Sequence, residues 1–149
     1  MSMDEPANDV PQAQQAPLPV HSQGEDGREM FAIAICIAAW AIPGLGHALQ
    51  KMWGRALALF LAVAALILLG AGMRGNVFTS RGEDAFATLG YFADLGSGSL
   101  YLLARVAESA GPDVSHSTGD YGTRFIATAG VLNLLAALHA YEAARGRKA

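Results

Sequence analysis

The sequence predicts an all-α membrane protein, a compact bundle of about four transmembrane helices preceded by a disordered N-terminal tail. Three observations carry that prediction. Of 149 residues, 52% are apolar and only 15% charged, whereas a soluble domain devotes about a quarter of its residues to charge. The stretch Ala56–Met73, ALALFLAVAALILLGAGM, contains no charged or polar side chain. The acidic charge is concentrated at the start of the chain: residues 1–29 hold Asp4, Glu5, Asp9, Glu25, Asp26 and Glu29 against Arg28 alone, with four of the six prolines.

That tail cannot bury enough apolar surface to offset the entropy of ordering it, so it is expected to be disordered. Its net charge is minus five. It starts acidic and stays polar, unlike a secretory leader, which starts basic and quickly turns apolar. The whole chain carries minus three, so residues 30–149 carry plus two and are read as one folded domain. No strong basic field exists for nucleic acid. A single cysteine, Cys36, excludes an intramolecular disulfide and any multi-thiolate metal centre.

Four apolar segments follow the tail, over residues 31–49, 56–73, 85–106 and 125–141. In the first, twelve apolar residues, Phe31–Ile42, run into Pro43-Gly44-Leu45-Gly46-His47. Pro43 lacks a backbone donor and clashes with the preceding turn, so the helix is expected to kink or end there. Residues 50–55 form a polar turn, which makes the first two segments antiparallel neighbours. The second segment is about 27 Å long as a helix, close to the ~30 Å of a bilayer's hydrocarbon core. Trp53 lies at its start as an interface anchor.

The third segment is the least regular, with Asp94 near its centre and Gly90, Gly96, Ser97, Gly98 and Ser99 diluting its apolar content. A mid-bilayer aspartate costs about 2.5–3.5 kcal/mol on insertion scales. The segment is therefore read as a span packed inside a bundle, with a re-entrant or interfacial course as the alternative. The fourth, FIATAGVLNLLAALHAY, is bracketed by Tyr121 and Tyr141, which suit the two water interfaces and place Asn133 at the midplane. Four spans put both termini on one side with six Lys and Arg residues against four, so the positive-inside bias makes that side cytoplasmic. The Arg-Gly-Arg-Lys cluster at residues 145–148 agrees and suits anionic headgroups.

Ala41-Ile42-Pro43-Gly44-Leu45-Gly46-His47, followed by a basic turn and an apolar span, resembles the start of a family of small bacterial integral membrane proteins of unknown function. Tyr121-Gly122-Thr123, Ala129–Leu135 and the ending Ala140–Lys148 are similar to the closing span of that family, and Asp94-Leu95-Gly96 stands where it has a comparable tripeptide. The Pro-Gly-Leu-Gly-His hairpin is more distantly similar to the two-transmembrane-helix domain family, from which residues 48–53 depart. The resemblance implies a polytopic protein of the bacterial plasma membrane. It transfers no catalytic residue.

Asp94 and Asn133 are the leading polar candidates. Their functional reading is a proton or cation relay; their structural reading, which is preferred, is an interhelical hydrogen bond between neighbouring spans. His47 is read first as a histidine bonded to a carbonyl freed at the helix break, and second as a ligand or proton acceptor. His139 and Asn133 project about 120° apart on a helix and form no common site. His116 and Asp120 lack a third convergent metal ligand, and His21 falls in the tail. Cys36, deep in an apolar stretch, is expected to behave as a small hydrophobe.

Gly44-x-Gly46 and Gly96-x-Gly98 do not extend to a dinucleotide fingerprint, and neither a phosphate-binding loop nor a nucleophile elbow occurs. No cofactor or metal is expected. The glycines suit close helix packing, within the monomer or against other membrane subunits or a second copy. The leading expectation is a non-catalytic structural or accessory component of a membrane complex. The alternative is a minimal proton, ion or small-solute transporter using Asp94 and His47.

Overall fold

A computed structural model describes residues 23–78, 85–107 and 117–146. These form six helices: α1 (Gln23–Ala41), α2 (Leu45–Leu49), α3 (Trp53–Gly72), α4 (Ala85–Leu95), α5 (Leu100–Ala107) and α6 (Ser117–Ala144). No strand occurs among the described residues. Two of the helices, α3 and α6, are long and apolar enough to cross a membrane.

The expected segments one and three are each cut in two. α1 stops at Ala41 because Pro43 offers no N–H to continue the ladder, and Gly44 turns the chain at φ 82°, a conformation that side chains with a Cβ rarely adopt. The third segment breaks at residues 96–99, where Gly98 sits at φ 63°. Other boundaries move less. α1 reaches back to Gln23, so residues 23–29 are helical where a disordered tail was expected, while residues 1–22 lie outside the described part. The polar turn after α2 shortens to residues 50–52, since α3 already begins at Trp53.

α6 is the spine on which the other helices pack, and it also serves as a ruler of depth. Glu29 lies beside Tyr141 and Arg145, and Trp40 beside Asn133, so α1 runs antiparallel to α6. Gln50, just past α2, reaches back to Ala140. The chain therefore descends along α1, turns at Pro43–Gly44, and returns to the level from which it came. α3 starts at that level and descends again, with Gly70 packed against Gly122 and Ile126. α1 and α3 thus run parallel to each other. This corrects the expected antiparallel pair, because α2 reverses the chain before α3 begins.

α4 approaches from the opposite end. Its Ala93 meets Gly130, and Gly96 just beyond it meets Leu134 and Asn133, so α4 runs parallel to α6. Gly90 packs on the ring of Phe78, which leads in from that same end. α5 then turns onto α3, and Ala104 joins the core of Val63, Ile67, Val77, Ile126 and Ala129. A second small core, Ile35, Ala39, Ala137 and Ala140, joins α1 to α6.

Close approach depends on missing side chains. A Cβ at Gly130 would overlap the Ala93 carbonyl oxygen, whereas one at Gly54 would meet nothing within 4 Å. Gly130→Val is expected to lower stability by about 3 kcal/mol or more through forced separation of α4 from α6. Gly54→Ala is expected to leave stability unchanged or slightly raised. Thermal unfolding in detergent compares the two.

Candidate functional site

The two helix breaks meet. In an unbroken helix the carbonyls of Trp40 and Ala41 would accept N–H groups one turn on, but the chain has already turned away at Pro43. Asn133 Nδ2 donates to the Trp40 carbonyl at 2.9 Å, and the Ser99 N–H donates to the Ala41 carbonyl at 2.8 Å. The same Asn133 amide donates to the carbonyl of Gly96 at 2.8 Å, at the end of α4. Trp40 Nε1 returns a bond to the Leu95 carbonyl at 3.2 Å. One side chain of α6 therefore serves both broken ends, and the ends also bond directly to each other.

Asp94 is fully buried, and its Oδ2 accepts the N–H of Phe78 at 2.8 Å. Tyr101 Oη fixes the other side of that residue by donating to the Phe78 carbonyl at 3.2 Å. Phe78 lies in an irregular stretch with no helical partner for its N–H, and a carboxylate is the strongest acceptor within reach. The expected Asp94–Asn133 bond does not form, because the breaks offer carbonyls that engage the amide first. Ser97 Oγ and Asn133 Oδ1 are buried with no hydrogen-bond partner.

His47 is also buried, at 1% exposure. It does not bond a freed carbonyl as expected, since Asn133 and Ser99 have taken those at the end of α1. Its Nε2 lies 3.0 Å from His139 Nδ1, and the rings stack with centroids 5.3 Å apart. Gln50 steadies this end of the bundle by donating to the Gly46 carbonyl at 3.0 Å and the Ala140 carbonyl at 2.9 Å. Gly46 fits between Ala39 and Ala140. A groove of 480 Å³ opens beside the histidines, lined by His47, Arg55, Leu59, Leu132, Leu135 and His139 among others.

The remaining candidates lie apart. Trp53 is 70% exposed at the head of α3. Tyr141 accepts a bond from Arg145 at 3.0 Å and reaches Glu29 at 3.4 Å, while Arg124 stacks over Tyr121 at the far end of α6. Asp120 pairs with Arg124 at 2.6 Å, and its expected companion His116 lies outside the described residues, as does His21. Cys36 packs beside the second core. Among the described residues no three His, Cys, Asp or Glu side chains converge as a metal site.

Sequence reasoning missed the His47–His139 pair, whose members are 92 positions apart, and the parts played by Trp40, Gln50 and Ser99. The one local signal was the run Gly96-Ser97-Gly98-Ser99 after a buried acid, which marks a break inside an apolar segment.

Fold and polar sites together define an all-helical protein with two membrane-length helices and two broken elements that meet on an asparagine. The chain belongs to DUF6677, a family of unknown function, which it matches over residues 34–149. No curated protein and no solved structure matches it.

Asn133→Ala would strand the buried Gly96 carbonyl and the half-buried Trp40 carbonyl, for an expected loss of about 2–3 kcal/mol. Asp94→Asn keeps an acceptor for the Phe78 N–H and should cost less, about 1 kcal/mol. Unfolding of the purified variants in mixed micelles checks the order.

Proposed function

We propose that this is a multi-pass protein of the bacterial plasma membrane, acting as a non-catalytic structural or accessory component of a membrane assembly. Its outer surface supports lipid as the solvent. Only 22% of the most apolar window of α3 is buried, while Leu57, Leu61, Leu68 and Leu69 are each more than half exposed. A core helix of a soluble protein would turn such residues inward.

In this reading α3 and α6 cross the bilayer. α1–α2 and α4–α5 enter from opposite faces as half-membrane elements. From Glu29 to Trp40, α1 covers about 16 Å, roughly half of a ~30 Å hydrocarbon core. The described ends of the chain, at Gln23 and Gly146, share one face with Arg28, Lys51, Arg55 and Arg145, against Arg74, Arg105 and Arg124 on the other. The positive-inside rule makes the terminal face cytoplasmic.

The observation that carries the structural role is the engagement of Asn133. Among the described residues, both of its side-chain bonds close backbone groups, and Asp94 likewise holds a backbone N–H. These are the bonds of a scaffold. A transporter is the second reading, favoured by the meeting of two helix breaks at mid-depth beside unpartnered Ser97 Oγ and Asn133 Oδ1.

Proton and sodium flux into liposomes separates the two readings. The structural role predicts flux equal to that of protein-free liposomes, unchanged in Asp94→Asn. A protein-dependent flux abolished by Asp94→Asn would establish the transporter instead.

A further inference from the structure

The groove between α3 and α6 combines features that bulk lipid solvation does not require. Arg55 stands at its head, and its only hydrogen-bond neighbour among the described residues is the Met52 sulfur at 3.8 Å. No carboxylate pairs with it among the described residues. The first turn of α3 holds no acidic residue, and Met52 provides no side-chain cap, so the N-terminal N–H groups and the positive end of the helix dipole remain available.

The histidine pair supplies a second donor, on His139. His47 lines the groove, is 1% exposed, and keeps Nδ1 without a partner. A buried N–H left unsatisfied is rarer than a buried acceptor left so. The favoured tautomer therefore has His47 donate from Nε2 to His139 Nδ1, and His139 then carries its own proton on Nε2. That N–H belongs to a groove-lining residue and has no protein partner among the described residues. Arg55 and His139 thus line one groove as donors, with no carboxylate in its lining among the described residues. Below them the lining is Leu59, Leu132 and Leu135.

We propose that this groove binds one anionic glycerophospholipid, with its phosphate at Arg55 and His139 and an acyl chain along Leu59, Leu132 and Leu135. Charge complementarity selects the anionic headgroup, and the apolar floor selects an attached chain over free phosphate. The inference rests on the membrane reading above and deepens it. Arg55 lies on the proposed cytoplasmic face, so the ligand comes from the inner leaflet.

Native mass spectrometry of the protein released from nanodiscs containing equal phosphatidylglycerol and phosphatidylcholine tests the proposal. One phosphatidylglycerol should remain bound in about fivefold preference over phosphatidylcholine. Arg55→Gln should abolish the preference, Arg55→Lys should retain part of it, and Leu135→Trp should reduce retention of both lipids. Equal retention of the two lipids by the unaltered chain overturns the proposal. So does a preference that survives Arg55→Gln, or a dimer that carries no lipid because a second copy covers the groove. Inorganic phosphate that displaces the lipid at millimolar concentration would show that the chain contributes nothing, and also overturns it. Protein that stays monodisperse without detergent or nanodisc refutes the membrane reading itself, a result distinct from all of these.

Discussion

The amide of Asn133 is the constraint on which the rest of the structure depends. A helix that stops inside an apolar environment leaves carbonyls that nothing in its surroundings can solvate. Trp40 and Gly96 present two such carbonyls, from helices that enter the bundle from opposite ends. An asparagine side chain has two N–H groups and can satisfy both at once. Placed near the middle of an unbroken α6, it holds the two breaks at one level. The short bond from Ser99 to Ala41 is then possible.

With lipid as the solvent, as proposed above, such ties matter more than they would in water. Lipid chains are as apolar as a leucine side chain, so burying Val63 or Ile67 against Ile126 contributes packing but little hydrophobic driving force. A single interhelical hydrogen bond contributes only about 0.6 kcal/mol on average. Leaving its acceptor stranded costs several times as much. That penalty selects this arrangement over looser ones, and the glycines at 98 and 130 let the backbones come close enough to realise it.

Each half of the chain repeats one plan. α1–α2 and α4–α5 are helices broken at a glycine of positive φ, and each is followed by one of the two long helices. The long helices were legible because an apolar run such as 56–73 depends only on local composition. The breaks were partly legible: Pro43 and the Gly-Ser run near Gly98 state that a helix stops. Neither states where the chain goes next. The direction of α2 follows from Gln50 reaching Ala140 and from Gly46 fitting against Ala39, contacts between distant residues. Asp94 was visible as a buried acid, but its partner was not, because the preference of Asn133 for carbonyls arises only once both breaks exist. His47 and His139 met for the same reason, through a return of the chain that no local pattern encodes.

The return at Pro43–Gly44 places Glu29 and Lys51 on the same face of the bundle, whereas a complete crossing by the first segment would place them on opposite faces. Labelling of Glu29→Cys and Lys51→Cys variants, each in a Cys36→Ala background, with a membrane-impermeant maleimide on intact and opened cells measures this directly. The account predicts that both cysteines react from the same side. Reaction from opposite sides would contradict it.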